Sequence, residues 1–336
     1  MIPDCGESSM AKLPLISIIT PSYNQASYLD ETIRSVLGQN YPDLEYIVVD
    51  GGSTDGSVDI IKKYADRIDW WVSEPDKGQA HAINKGLRRA RGDYVAWLNS
   101  DDLYLPNAVK RAAEALKQNP DVTMVYGDGI LIDSTRQILD WHYYSSLNTL
   151  DLLCWKVLLQ PTVFMRRSVL EQIGYLDLDY DLVLDHDLWI RFALQGPILH
   201  IPEFWAAERT HPDAKTIASA AGFVDEAERL VSVYKNNPEF KQTYTLNTRR
   251  IAASLYTFSA RRLIDSRQYG KALRNFWHAL RIKPGVVLKA WYKVIQAIMG
   301  AAGLEPVFLW YRNTRRKFQH QGKYLAWEGN QLRYED

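Results

Sequence analysis

Short apolar runs that stop abruptly in polar residues, alternating with segments of helical spacing, leave this chain few architectures. "LPLISIITPSYN" is rich in β-branched residues (Ile16, Ile18, Ile19, Thr20) and is halted at Pro21, so it reads as a buried strand. "LEYIVVDGGSTDGS", "IDWWVSE" and "DYVAWLN" supply a second, third and fourth such run. Between them lie "ASYLDETIRSVLGQN", "VDIIKKYA" and "GQAHAINKGLRRAR". The first of these carries Leu29, Ile33, Val36 and Leu37 on one helical face, with Gly38 near its end. Alternating strands and helices predict an α/β fold, a Rossmann-like, mostly parallel sheet flanked by helices.

Further along, "NAVKRAAEALKQNP" reads as a helix and "VTMVYGDGILID" as strand, turn and strand. The pattern is mixed from about 140 to 215 and helical beyond about 220. "YGKALRNFWHALRIKPG" resembles one helix-turn repeat, and one unit does not make a solenoid. The 336 residues suffice for one large domain or two ordinary ones. From Lys241 onward 18 Lys/Arg face 5 Asp/Glu, a balance of +13 set against −13 in the rest of the chain. The expected division is therefore a ragged N-terminus at 1–13, an acidic α/β domain at 14–240 and a basic helical region at 241–336. Within that region "VVLKAWYKVIQAIMGAAGLEPVFLWYRNTRRKF" is broken by Lys289, Lys293 and Glu305, so it falls short of a membrane-spanning helix. It reads as an interfacial amphipathic segment over about 285–320, placing Trp291, Ile295, Ile298, Phe308 and Trp310 against an anionic membrane surface. The rival reading is a cap on the catalytic domain. Cys5 and Cys154 have no zinc-type spacing and read as reduced thiols of a cytoplasmic protein.

The chemistry is carried by the strand tips. "TPSYN" follows the first strand, "DGGSTD" the second and "NSDD" the fourth, and open α/β sheets bind ligands at such carboxyl ends. Neither GxGxxG nor GxxxxGK[ST] follows the first strand, which removes the usual dinucleotide fingerprint and the P-loop. Asp50, Asp55, Asp101 and Asp102 then gather at one sheet edge. Acids alone repel phosphate; a divalent cation held by one or two carboxylates reverses that sign. Asp101 and Asp102 also suit a cap on the helix beginning near Pro106, and Asp55 suits a plain turn.

Taken in order, "VVDGGSTDGS", "DKGQAHAINKG", "AWLNSDDLYLP", "LQPTVFMRRSVLEQIGYLD", "LDHDLWIRFA" and "ERTHPDAKT" resemble family 2 glycosyltransferases of the GT-A fold, over roughly residues 14–215. The resemblance implies that Pro21 and Tyr23 line the nucleotide base and that Asp50 contacts it. Lys77 and Gly78 fall where the family approaches the base or diphosphate. Ser100, Asp101 and Asp102 match the DxD-type site, with Asp101 towards the ribose and Asp102 on a divalent metal, Mn²⁺ or Mg²⁺. Asp185 of "LDHDLWIR" matches the catalytic base, and His211 a position that approaches the metal. The chain departs from the family in "DGGS", where a second acid is frequent, and in Asn99, where many relatives carry Asp. Trp189 and Phe192 read as core, His81 as a packed histidine and Asp187 as structural.

The implied reaction moves a sugar from a nucleotide-diphosphate donor, a UDP-sugar first, to a glycan or lipid-linked acceptor in cell-envelope polysaccharide synthesis. A single base and no second nucleophilic carboxylate imply inversion. The expected location is cytoplasmic and peripheral on the inner membrane face. No nucleic acid is expected, because the tail's cations are interleaved with a broad apolar face and no recognition motif accompanies them. Two other classes compete: a nucleotide-sugar-binding protein without turnover, and a scaffold acting through its basic tail.

Overall fold

A computed structural model describes residues 13–211, 219–319, 323–329 and 331–335; the expected ragged start at 1–12, with Cys5, lies outside them. In chain order the elements are β1 (Ile16–Ser22), α1 (Ala26–Leu37), β2 (Leu44–Asp50), α2 (Ser57–Lys63), β3 (Trp70–Ser73), α3 (Gln79–Arg89), β4 (Tyr94–Trp97), β5 (Leu103–Tyr104) and α4 (Ala108–Gln118). There follow β6 (Met124–Ile132), β7 (Ile138–His142), α5 (Thr149–Leu153), β8 (Val163–Arg166), α6 (Arg167–Ile173), α7 (Leu184–Gln195) and β9 (Ile198–Arg209). The remainder is α8 (Gly222–Asn236), α9 (Pro238–Asp265), α10 (Tyr269–Ile282), α11 (Pro284–Leu288), α12 (Trp291–Ala301), α13 (Glu305–Gln319), β10 (Tyr324–Glu328) and β11 (Gln331–Glu335).

Every residue of β1 is buried, as a strand covered on both faces requires. It pairs in parallel with β2 and β4, and β2 pairs in parallel with β3. Alternation along β1 divides its side chains between two cores. Ile19 packs in the cluster that holds Ile83 and Leu87 of α3. Ile16 and Ile18 join Leu29 and Ile33 of α1 and Ala112 and Leu116 of α4 on the opposite face. The sheet runs β3-β2-β1-β4-β8-β6-β9-β5, with β7 beside β6. Its first half is parallel; beyond β4 it becomes mixed, because β8 runs antiparallel to both β4 and β6 while β6 and β9 run parallel.

Three expectations are corrected. "VTMVYGDGILID" forms no turn: β6 is a single strand. Gly127 and Gly129 serve close packing instead, since a Cβ at Gly127 would stand 2.5 Å from the Trp205 ring and one at Gly129 would stand 2.4 Å from Leu159. The 240/241 division falls inside the 28-residue α9, whose Phe240, Ile251 and Phe258 share a core with β1, β2 and α3. Body and tail are thus joined by one core through about Phe258. Finally, the tail is not wholly helical. It ends in the antiparallel hairpin β10–β11, which buries Leu325 and Leu332 against Leu103, Ile130 and Ile138. Arg34 holds the hairpin by lying over the Trp327 ring at 4.0 Å and donating to the Gly329 carbonyl.

Candidate active site

The carboxyl ends of β1, β2 and β4 open into a cleft of about 1150 Å³. Pro21 and Tyr23 line it, and Tyr23 is 63% exposed, leaving its ring available. Beside them a niche forms over Gly51. A Cβ at Gly51 would meet the Asp76 carboxylate at 2.7 Å and the Tyr23 ring at 3.3 Å, so only glycine lets these two groups close over the strand end. Gly78, at φ +105°, ends the loop before α3 and donates its N–H to Asp76 at 2.7 Å. Two of the residues expected near the base stand elsewhere. Asp50 is fully buried below the turn, where it accepts from the N–H groups of Gly52 and Ser53 and from the Ser53 and Ser73 hydroxyls. Its charge is spent on shaping the turn. Lys77 is exposed and is not among the lining residues, which include Asp76 and Gly78 on either side of it. Asp55 proves to be a turn residue that accepts the first N–H of α1, from Ala26.

After β4 the chain presents Ser100, Asp101 and Asp102 to the cleft. The acids cap no helix; the N-cap of α4 is Asn107, which makes no side-chain cap hydrogen bond. Asp102 is 2% exposed and accepts from the Arg209 N–H at 2.9 Å and from Asn99 Nδ2 at 3.2 Å. Asp101 pairs with His211 Nε2 at 3.1 Å. The Arg209 guanidinium, although close, donates to the Asp101 carbonyl and the Glu31 carboxylate. Among the described residues no arginine side chain therefore pairs with Asp102 directly. Burial, then Asp101 and Glu208, hold its carboxyl well above the usual carboxylate range. Asn99 accounts for its own departure from the family: its amide donates to Asp102 and Gln160 and accepts from Gln79. A carboxylate there would add repulsion to the same cluster.

α7 and the tail supply further lining of the cleft. Asp185 lies in the first turn of α7 and accepts the His186 N–H at 2.8 Å; burial pushes its carboxyl up to about 6. His186 donates from Nε2 to the Leu152 carbonyl, and burial lowers its ring to about 4, so it is neutral. Asp187 faces away, bonded to Arg191 Nε and the Tyr234 hydroxyl. Trp189 and Phe192 are fully buried in the core. Glu208, near the end of β9, stands electrostatically between Asp101 and Asp185 and is raised to about 7 by burial and by those two charges. From α9, Arg261 and Arg262 reach the same cleft.

A cleft lined by acids at the strand tips and by Asp185 belongs to a chain with clear likeness to known proteins. The family model for glycosyl transferase family 2 matches residues 17–174. An uncharacterized glycosyltransferase of Rickettsia typhi is 33% identical over 235 residues, covering 65% of this chain and 71% of the relative. The chain belongs to glycosyl transferase family 2. TuaG of Bacillus subtilis, a glycosyltransferase provisionally assigned to teichuronic acid biosynthesis, is 44% identical over 108 residues, 31% of this glycosyltransferase and 43% of TuaG. Among solved structures, Staphylococcus aureus TarS 1–349 in complex with UDP-GlcNAc superposes with a TM-score of 0.59 at 19% identity, covering 96% of each chain. The Pyrobaculum calidifontis mannosyltransferase PcManGT, in complex with GDP-Man and Mn²⁺, gives 0.58 at 21% identity and 88% of each chain. These two likenesses establish the GT-A fold. Within this glycosyltransferase, the residues that motif reading passed over are Asp76, Glu208, Arg209 and Arg262. Glu208 and Arg209 sit inside the quoted "ERTHPD", three and two residues before the one residue selected there; Arg262 stands in a helix with no motif at all.

Proposed function

We propose that this glycosyltransferase inverts the anomeric carbon of a nucleotide-diphosphate sugar, UDP-linked first, as it transfers the sugar to a glycan or lipid-linked hydroxyl. The observation that carries this is Asp185: a carboxyl raised to about 6, ionised at neutral pH yet basic enough to take a proton, on the wall of the cleft that the strand tips also line. As the acceptor oxygen bonds to the anomeric carbon, its proton passes to Asp185, and the electron pair of the broken bond leaves with the diphosphate. Tyr23, Gly51 and Asp76 are the donor-base niche, and Ser100 and Asp101 the ribose side. Replacing Asp185 by Asn retains the bond from His186 and removes the basic oxygen. Turnover should fall by about 10²- to 10⁴-fold with UDP affinity retained. Turnover within threefold of the parent would overturn the assignment.

A divalent cation, Mn²⁺ or Mg²⁺, suits the acidic tip. Asp102 and Glu208 are both raised there, by burial first and then by the neighbouring charge of Asp101. Asp102 retains a lone pair on each oxygen, and His211 lies beside it on Asp101. Among the described residues no three His, Cys, Asp or Glu side chains are grouped to hold an ion by themselves. Two protein donors suffice where substrate phosphates supply the other oxygens. Asp102 and His211 are the proposed holders, and the ion would stabilise charge on the departing diphosphate.

The catalytic unit on this reading extends through α9, and α10–α13 form the membrane-facing part, on the inner face of a membrane. The support is exposure. Leu288 (65%), Trp291 (61%), Ile298 (53%) and Trp310 (69%) stand in solvent on consecutive helices, interspersed with Lys289, Arg312 and Arg315. Among the described residues no helix is long and apolar enough to cross a membrane. Each cation at an anionic surface contributes about 1 kcal/mol, declining with salt. Flotation with phosphatidylglycerol vesicles at low salt tests it: protein remaining in the dense fraction removes the membrane reading.

A further inference from the structure

We propose that Arg262, supported by Arg261, forms an oxyanion subsite beside Asp185, so that the acceptor carries a phosphate or carboxylate close to the hydroxyl that receives the sugar. This rests on the glycosyltransferase reading of the cleft and names the acceptor chemistry it leaves open.

Arg262 is an anomalous arginine. Its Nε is buried and has no hydrogen-bond partner among the described residues. Its nearest ion-pair partner is Asp265, one turn along its own helix and 3.8 Å away, too far for a hydrogen bond. The side chain keeps 21% exposure, but a buried guanidinium N–H without a hydrogen bond is costly, so something must hold it there. Two aromatic rings do: the guanidinium lies 4.8 Å from the Phe223 ring centre and 5.3 Å from that of Phe258, within cation–π range. Phe258 is itself fixed by stacking on Trp155 at 4.2 Å, and Trp155 on His186 at 4.6 Å. His186 is the neighbour of Asp185 in α7. The arginine and the proposed base are thus anchored in one continuous stack of rings.

An arginine serving only as counter-ion to Asp185 or Glu208 would close on them with charge-assisted hydrogen bonds. Arg262 forms no ion pair within 4 Å to either, although all three line the cleft. The gap between guanidinium and base is where an acceptor must lie for its hydroxyl to reach Asp185. A substituent beside that hydroxyl then meets Arg262, whose planar fork suits a phosphate or carboxylate. Arg261, exposed on the same turn and also lining the cleft, adds a second positive charge at the mouth. The donor diphosphate is the less apt occupant, because Arg262 flanks Asp185 and the stack behind it, whereas the nucleotide niche is built from the tips of β1 and β2.

The test compares binding of glucose, glucuronate and glucose 6-phosphate to the full chain in the presence of UDP and Mn²⁺, by ligand-observed NMR. The parent protein should prefer at least one of the two anions to glucose by about tenfold or more, and which of them it prefers separates a carboxylate acceptor from a phosphate one. Arg262→Gln should erase the preference and Arg262→Lys should restore part of it, with melting temperature reporting that each variant is folded. Equal binding of all three sugars by the parent overturns the proposal, as does a preference that survives in folded Arg262→Gln. If Arg262→Gln does not fold, Arg262→Lys and Arg261→Gln must each reduce the preference, or the proposal fails. Stabilisation by UDP and Mn²⁺ is measured separately in the parent. Its absence would count against the donor assignment, while the anion comparison would still report on Arg262.

Discussion

Replacing Asp185 by Asn should make the protein more stable as it becomes inactive. Burial raises the Asp185 carboxyl from 3.8 to about 6, so ionisation costs more in the folded than in the unfolded chain. The sign follows from linkage: a raised carboxyl pKa favours the folded state below the unfolded value, and this advantage is lost as pH rises through the folded value. At pH 7 and above, the whole difference of about two pH units weighs against the native state, a ceiling of about 3 kcal/mol. Asp185 is only half-buried at the cleft wall. Water reaches part of it, and the expected gain for Asp185→Asn is about 1–2 kcal/mol. Asn keeps the bond from the His186 N–H, so no compensating loss is expected. Melting curves from pH 4 to pH 8 should show the variant and parent equal near pH 4, diverging towards pH 6 and then holding a constant gap of a few degrees. Donor turnover by the parent should rise with pH through about 6, in step with that divergence. A variant that melts below the parent at pH 8, or a gap independent of pH, would refute the argument that a desolvated, ionised carboxyl occupies this position.

Other outcomes follow from the same geometry. Asp187→Asn should cost about 1–3 kcal/mol, because Tyr234 and Arg191 lose a charged acceptor, while turnover per folded molecule stays near the parent's; melting and active-fraction-corrected rates separate the two. Gly51→Ala should displace Asp76 and weaken UDP binding by about tenfold or more, equivalent to at least 1.4 kcal/mol, with little change in melting temperature; calorimetric titration checks it. Asp102→Ala should abolish the thermal stabilisation that Mn²⁺ adds to UDP, whereas Asp101→Ala should weaken UDP with or without the metal. Unchanged Mn²⁺ dependence in Asp102→Ala would move the ion to Asp101 and His211.

How far the sequence disclosed this arrangement depended on the range of each interaction. β1, β2 and β4 were legible because a strand buried on both faces must be apolar at nearly every position. Their tips were legible because an acid pair after such a run has to face a ligand or solvent. Gly127 and Gly129 misled, because glycine serves a turn and a close contact equally well; only the positions of Trp205 and Leu159 decide between them. Asp50 misled for a related reason. An acid at a strand end suits a ligand or its own turn, and the hydroxyls of Ser53 and Ser73 claimed it. The terminal hairpin was hidden because its apolar residues are few, and the partners of Leu325 and Leu332 lie some two hundred residues earlier in the chain.

The charge division between body and tail takes on a local meaning in the cleft. Asp101, Asp102, Glu208 and Asp185 line one cavity, and a diphosphate entering it meets repulsion unless positive charge arrives as well. The body's own cations lining it are engaged elsewhere: Arg209 with Glu31 and backbone carbonyls, and Lys156 with Asp151. Two sources remain. On the proposed reading a divalent ion would answer the strand-tip acids, and Arg262 from the basic tail would answer the base side. Because α9 carries Arg262 and also shares the core of the catalytic body, the tail is built into the active site. Cutting the chain at 240 should therefore eliminate transfer and expose Phe223, Leu230 and Tyr234 to solvent, leaving an aggregating fragment where a detachable tail would leave a soluble, donor-binding domain.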